Sequence, residues 1–353
     1  MTDGQVNMAT MSPYERKAWQ TLLTDTGGTT TGRPPSNRLA SAKSKAKQKA
    51  RRAKAAVERI PGGTKVLNGV DASFHSALEG IHTLTVERGL YSVNASSVIK
   101  AYGKDGIVIR SIDDIRSLDL RYCDRSLPRK REGYLFAGTA EGALSSIAVT
   151  GAVVSSTVSG GTTAAVALGA VAADVATVLV GMGRIVALVA AHYGYDVRDP
   201  DEQVFAAGVI TYSSAGSAAE KAASLASLSR LTQTMMRRAT WKQLSSDKLV
   251  KVIEAVFTSL GLRLTHRKLA QVVPVAGAVV NGAMNAHFVN QTFKRAQQAY
   301  RLRFLTEKYG MNPADWSPLQ APDTAPPVSP LPHVDEMVDA EIAELDGRVE
   351  DEV

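Results

Sequence analysis

The sequence predicts a mainly α fold: a compact multi-helix domain with a central Gly/Ala-rich helical hairpin and at most a minor β element. Three observations predict it. Hydrophobic residues make up 44% of the 353-residue chain but aromatics only 6%, which suits helix packing through small side chains better than a β-sandwich core. From Gly142 to Ala173 no side chain is charged, and Gly160-Gly161 divides that run into two helical halves. Elsewhere apolar residues recur at helical spacing, as in Leu249 to Leu260.

Both ends are too polar to fold, so one domain of about 250 residues is expected. Residues 1–36 are rich in Thr, Gly, Ser and Pro with few apolar anchors, and are expected to be disordered. Gly27 and Gly32 are spaced as in a phosphate-binding loop, but Arg33 and Pro34 stand where Lys and Ser/Thr are needed. The match is spurious. The N-terminus lacks the pattern of a secretory signal. The single Cys123 excludes an internal disulfide framework and a thiolate cluster, pointing to a reducing cytoplasm.

Residues 37–59 form a basic arm with helix-favouring alanines between Lys43, Lys45, Lys47, Lys49, Arg51, Arg52 and Lys54. Three readings stand: a solvated helix, an anchor for anionic lipid headgroups, and, less favoured because no aromatics interleave, a nucleic-acid contact.

Residues 60–312 make up the helical domain. Ile60-Pro61-Gly62-Gly63 stops the arm, and the next helix places His75 and His82 seven apart, a wider spacing than a metal pair normally uses, which favours structural roles over a metal site. No metal and no cofactor is predicted. Between Ser97 and Leu120 the residues indicate a short helix, a β-favouring Ile107-Val108-Ile109, and Ser111 as a cap. The second half of the central hairpin runs to about Tyr193. About 20 apolar residues can span a bilayer, yet Asp174 and Arg184 interrupt this helix, at roughly 3 kcal/mol for a charge at mid-bilayer. Burial in protein is therefore expected, with bilayer contact or a pore-like assembly as alternatives.

Asp174 has apolar flanks on both sides. It reads either as a buried carboxylate satisfied by Arg184 or a helix end, or as a general base in a cleft. Gly194 can close the helix in the left-handed conformation, and Asp199, Pro200 and Glu202 spell a capping box for the next one. His192 and Asp196 thus share a helix corner. Farther on, Gly277, Asn281 and Asn285, beside Ala278, Gly282 and Ala286, recur every four residues. They form a ridge without bulky side chains that lets another backbone approach. Contact with the central hairpin through Gly160 and Gly161 is the expectation, an oligomer seam or a ligand groove the alternatives. Residues 313–353 read as a Pro-rich linker and an acidic tail, either solvated or paired with the basic arm.

The "EGALSS" lead-in, the block "AADVATVLVGMGRIVALVAAHYGYDVRDPDEQ" and the block "VPVAGAVVNGAMNAHFVNQTFKRAQQAYRLRFL" together resemble the EcsC family, over roughly Ile60 to Leu305. The resemblance implies a transport- or secretion-related context, since the family's namesake lies beside genes for an ABC transporter linked to secretion. It names no reaction.

Combining the residues with the resemblance, the expected function is a cytoplasmic module, peripheral at the inner face of the plasma membrane. It would dock on an anionic membrane surface or a membrane protein through the basic arm. The competing expectation is a hydrolase with Asp174, His192 and Asp196 around one cleft and Glu141 as a further acid. No nucleophile elbow, His-Glu-x-x-His helix, paired-Cys motif or dinucleotide fingerprint accompanies those residues.

Overall fold

The computed structural model describes residues 8–26, 80–128, 163–237, 244–269, 281–316 and 332–351, with the backbone alone for 163–174, 265–269, 281–288 and 344–351. Its helices are α1 (Pro13–Thr26), α2 (Ala95–Lys104), α3 (Leu120–Ser126), α4 (Thr163–His192), α5 (Pro200–Ser214), α6 (Ala218–Met236), α7 (Ser246–Leu269), α8 (Asn281–Tyr309) and α9 (Val334–Asp351). Shorter turns occupy Thr85–Gly89 (π), Leu90–Ser92, Asp113–Ser117 and Pro313–Trp316 (all three 3-10). No strand occurs among the described residues. Ile107 to Ile109 forms neither helix nor strand, with Val108 exposed and Ile109 buried.

The core is organised around α5. Every residue from Gln203 to Ser214 is buried, because α4, α6, α7, α8 and α9 all pack against this one helix. A helix enclosed on all sides needs no polar face, which explains why "VFAAGVITYSS" is apolar or small throughout. Pro200 takes the first helical position, but Asp199 makes no side-chain cap bond. Glu202 is drawn instead to Arg303, so the expected capping box does not form.

α4 is a single helix carrying Asp174 and Arg184 ten positions apart, about 15 Å along the axis at 1.5 Å per residue. The stretch Val175–His192 is long and apolar enough to cross a membrane, and 78% of it is buried within the protein. It serves as a wall of the core. Its close approach is made at Gly183 and Gly89: a Cβ on Gly183 would lie 3.2 Å from the Gly89 Cα. Gly194 ends the helix at φ +87° and lies against Arg116 and the Ile112 carbonyl, as the sequence led us to expect.

Two expectations about the chain ends are corrected. Within residues 1–36, α1 is a formed helix whose Trp19 and Leu22, with Met11 just before it, are buried. It packs on α3, α8 and the Pro313–Trp316 turn. A few large anchors suffice when each is fully enclosed, since an aromatic side chain buries far more area than several small ones. At the other end, Trp316 is fully buried with its indole N–H on Thr306 Oγ1 at 2.9 Å. The acidic segment forms α9, which packs on α6 and α7. Val334 and Val338 are buried, as is Asp335, which accepts bonds from Ser227 and Arg230. Two carboxylates of the acidic segment, Asp335 and Glu341, thus meet Arg230 of α6 and Lys248 of α7.

Candidate functional site

α8 buries Phe293, Ala296, Ala299, Tyr300 and Phe304 and turns a stripe of amides and cations away from them. Three carboxylates from three other elements converge on this helix. Glu202 of α5 holds Arg303 with two bonds of 2.6 Å each, and Glu307 holds the Arg303 Nε at 2.6 Å. Burial pushes Glu202 above the usual carboxylate range, with Arg303 opposing. Asp124 of α3 accepts from Tyr14 at 2.7 Å, from Arg301 Nε at 2.7 Å, and from Tyr193. Glu15 of α1 is buried and accepts from Lys308 at 2.8 Å, Tyr309 at 2.7 Å and the Leu120 N–H at 3.1 Å. Burial alone would raise Glu15, but these donors outweigh it and hold the carboxyl below its ordinary value.

Beside this spine, α1, α6 and α8 enclose an open cleft of about 480 Å³. Its wall is polar and cationic: Lys221 from α6, and Lys294, Arg295 and Arg301 from α8, against Asp25 from α1. Arg295 Nη1 lies 2.7 Å from the Tyr212 carbonyl, 3.1 Å from that of Ser213 and 2.8 Å from that of Ala215. It thereby serves the orphan carbonyls that end α5. Gln298 accepts the Tyr212 hydroxyl at 2.7 Å, while its own amide nitrogen is buried without an acceptor. Lys221 is lowered from the ordinary lysine value, by burial first and by the Arg295 charge second, with Asp25 opposing.

Of the residues nominated for catalysis, His192 and Asp196 enter separate hydrogen-bond sets. His192 is buried, its Nδ1 2.9 Å from Ser126 Oγ, and burial pulls its pKa down to about 4. A base that weak is poorly matched to proton transfer near neutrality. The Ser126 hydroxyl lies equally within reach of the Cys123 carbonyl, at 2.8 Å, and among the described residues no carboxylate hydrogen-bonds the ring. Asp196 instead accepts the Arg198 N–H at 3.0 Å, shaping the loop before α5. Burial likewise pushes the Cys123 thiol up to about 12, leaving it unreactive. Among the described residues no group of three or more His, Cys, Asp or Glu is placed to hold a metal ion. His82 stands near Glu254 at 3.7 Å and against the Phe257 ring, a structural setting.

The arm residues Lys43, Lys45, Lys47, Lys49, Arg51, Arg52 and Lys54, together with Glu141, Gly160, Gly161 and Gly277, lie outside the described residues. Asp174, Asn281, Gly282 and Asn285 are placed on α4 and α8 by backbone only. The cleft residues Lys221, Lys294, Arg295 and Arg301 were not singled out from the sequence. The spacing of Gln291, Lys294, Arg295, Gln298 and Arg301, which puts all five on one helix face, was the available signal.

The EcsC protein family matches residues 39–305, so the match takes in the basic arm, which the sequence reading had placed outside. α1 and α9 lie beyond it yet pack onto the matched region. No curated protein and no solved structure matches the chain. With more than half of its length matched and a helical fold throughout the described residues, this chain belongs to the EcsC protein family.

Proposed function

We propose that this EcsC-family chain is a docking module, cytoplasmic and peripheral, that attaches to an anionic membrane surface or a membrane protein in a transport- or secretion-related setting. The observation that carries this reading is the surplus of cations in the cleft of α1, α6 and α8, on a chain that also carries the seven-cation arm between Lys43 and Lys54. Clustered Lys and Arg contribute about 1 kcal/mol each near an anionic bilayer. The burial of Val175–His192 favours electrostatic attachment over insertion of that helix. The separation of His192 from Asp196 into two unrelated hydrogen-bond sets supports binding over catalysis.

Flotation of the full chain with vesicles tests the proposal. Binding to phosphatidylglycerol vesicles at low salt is expected, together with release at high salt and loss when the seven arm cations are changed to Gln. Equal binding to neutral phosphatidylcholine vesicles, or no binding to either, overturns it. Arm-dependent capture by duplex DNA without flotation assigns the arm to nucleic acid instead.

A further inference from the structure

We infer that the cleft between α1, α6 and α8 is a binding site for a phosphate-bearing anion, either a phosphorylated lipid headgroup or a free phosphate compound. The inference deepens the docking reading and, in its headgroup form, rests on it. A volume of about 480 Å³ falls within the range of roughly 300–1,000 Å³ typical of small-molecule pockets. The open side leaves room for a ligand that remains attached to something larger.

The chemistry of the wall selects the ligand. Arg301 is fixed by Asp124 through its Nε at 2.7 Å, which leaves its two terminal nitrogens without an acceptor among the described residues. A guanidinium so held offers the planar donor pair that suits phosphate oxygens. Arg295 is fixed by the α5 carbonyls, so its position is set before any ligand arrives and little side-chain entropy is lost on binding. Gln298 adds a buried amide nitrogen that lacks an acceptor, a cost that a phosphate oxygen would relieve. Lys221 and the exposed Lys294 complete the positive rim. Asp124 is committed to Arg301, so among the described lining residues Asp25 is the acid that faces Lys221 and Lys294. Burial first and the Arg295 charge second lower the proton affinity of Lys221, and a bound anion would oppose that shift.

The test is calorimetric titration of the full chain with inorganic phosphate and with glycerol 1-phosphate at fixed ionic strength, alongside flotation on phosphatidylglycerol vesicles. Saturable binding of at least one soluble probe is expected. K221Q/K294Q should weaken it tenfold or more, and Lys294→Gln alone, on the exposed rim, severalfold. If the natural source is a lipid headgroup, K221Q/K294Q also reduces flotation. If it is a free phosphate compound, only the soluble titration changes. No saturable binding of either probe, or equal affinity in wild type and K221Q/K294Q with both folded by circular dichroism, overturns the inference. Titrating the arm-neutralised full chain separates the two proposals. Loss of flotation with phosphate binding intact is a property of the arm, and loss of phosphate binding with flotation intact is a property of the cleft.

Discussion

Arg303 and Glu202 form a two-pronged ion pair, 2.6 Å on each prong, between α8 and the first turn of α5. The guanidinium also lies 4.3 Å from the Tyr195 ring centre and 4.4 Å from that of Phe205. Glu307 completes its donors, so a buried cation is enclosed by two carboxylates and two aromatic faces. Removing one member leaves the others buried without compensation. Arg303→Met is expected to destabilise the chain by about 3–5 kcal/mol, read as a lower urea midpoint with unchanged slope.

Glu15 ties α1 to α3 and α8. Its carboxyl is held below its ordinary value in the folded chain, so its contribution is present above the unfolded value of about 4.3 and is lost as pH falls through the lower folded value. Glu15→Gln is expected to cost about 1–3 kcal/mol at pH 7, the scale for hydrogen bonds to a charged group. The gap to wild type should close in acid. Urea unfolding of both proteins from pH 7 to pH 3 measures it, and a gap that stays constant would show that the charge contributes nothing.

His192 acts in the same direction but in a higher pH window. Its folded value is pulled to about 4 by burial, below the unfolded value of about 6.5, so the unfolded chain binds the proton first as pH falls. Stability is lost between about pH 6.5 and pH 4, by roughly 3 kcal/mol in total at 1.36 kcal/mol per unit. His192→Gln is expected to remove that slope. Direct titration of the imidazole by NMR should find it still neutral at pH 6.

Gly183 faces Gly89 where α4 meets the Thr85–Gly89 turn, with a built Cβ 3.2 Å from the Gly89 Cα and 3.3 Å from the Thr85 carbonyl. Both obstacles are backbone, so they cannot rotate away. Gly183→Ala is expected to cost about 1–3 kcal/mol by overpacking, outweighing the gain in helix propensity of about 1 kcal/mol. A rise in melting temperature for this variant would contradict the close crossing.

Asp335 is buried and bonded to Ser227 and to the half-exposed Arg230. Asp335→Ala is expected to loosen α9, detected as faster C-terminal trimming by carboxypeptidase and faster amide exchange from Val334 to Glu341. The remaining domain should keep its helical signal, because α5 retains its other neighbours.

The sequence by itself determined the fold class and much of the local punctuation. Small residues and helical periodicity specified helices, Gly194 marked the end of α4, and Pro200 the start of α5. Ordered family blocks from "EGALSS" onward were legible for the same reason: they are local patterns of residue type. Tertiary structure alone decided where the charges go. Glu202 reads as a capping residue in one dimension, yet a buried guanidinium from a helix 101 positions away offers two charge-assisted bonds that an exposed helix end cannot match. Trp19 looks like an isolated aromatic in a polar segment, and only the walls contributed by α3, α8 and the Trp316 turn make it an anchor. The cleft is likewise a product of packing. Lys221 and Arg301 stand 80 positions apart in the chain, and periodicity within one helix carries no information about which other helix will lie beside it.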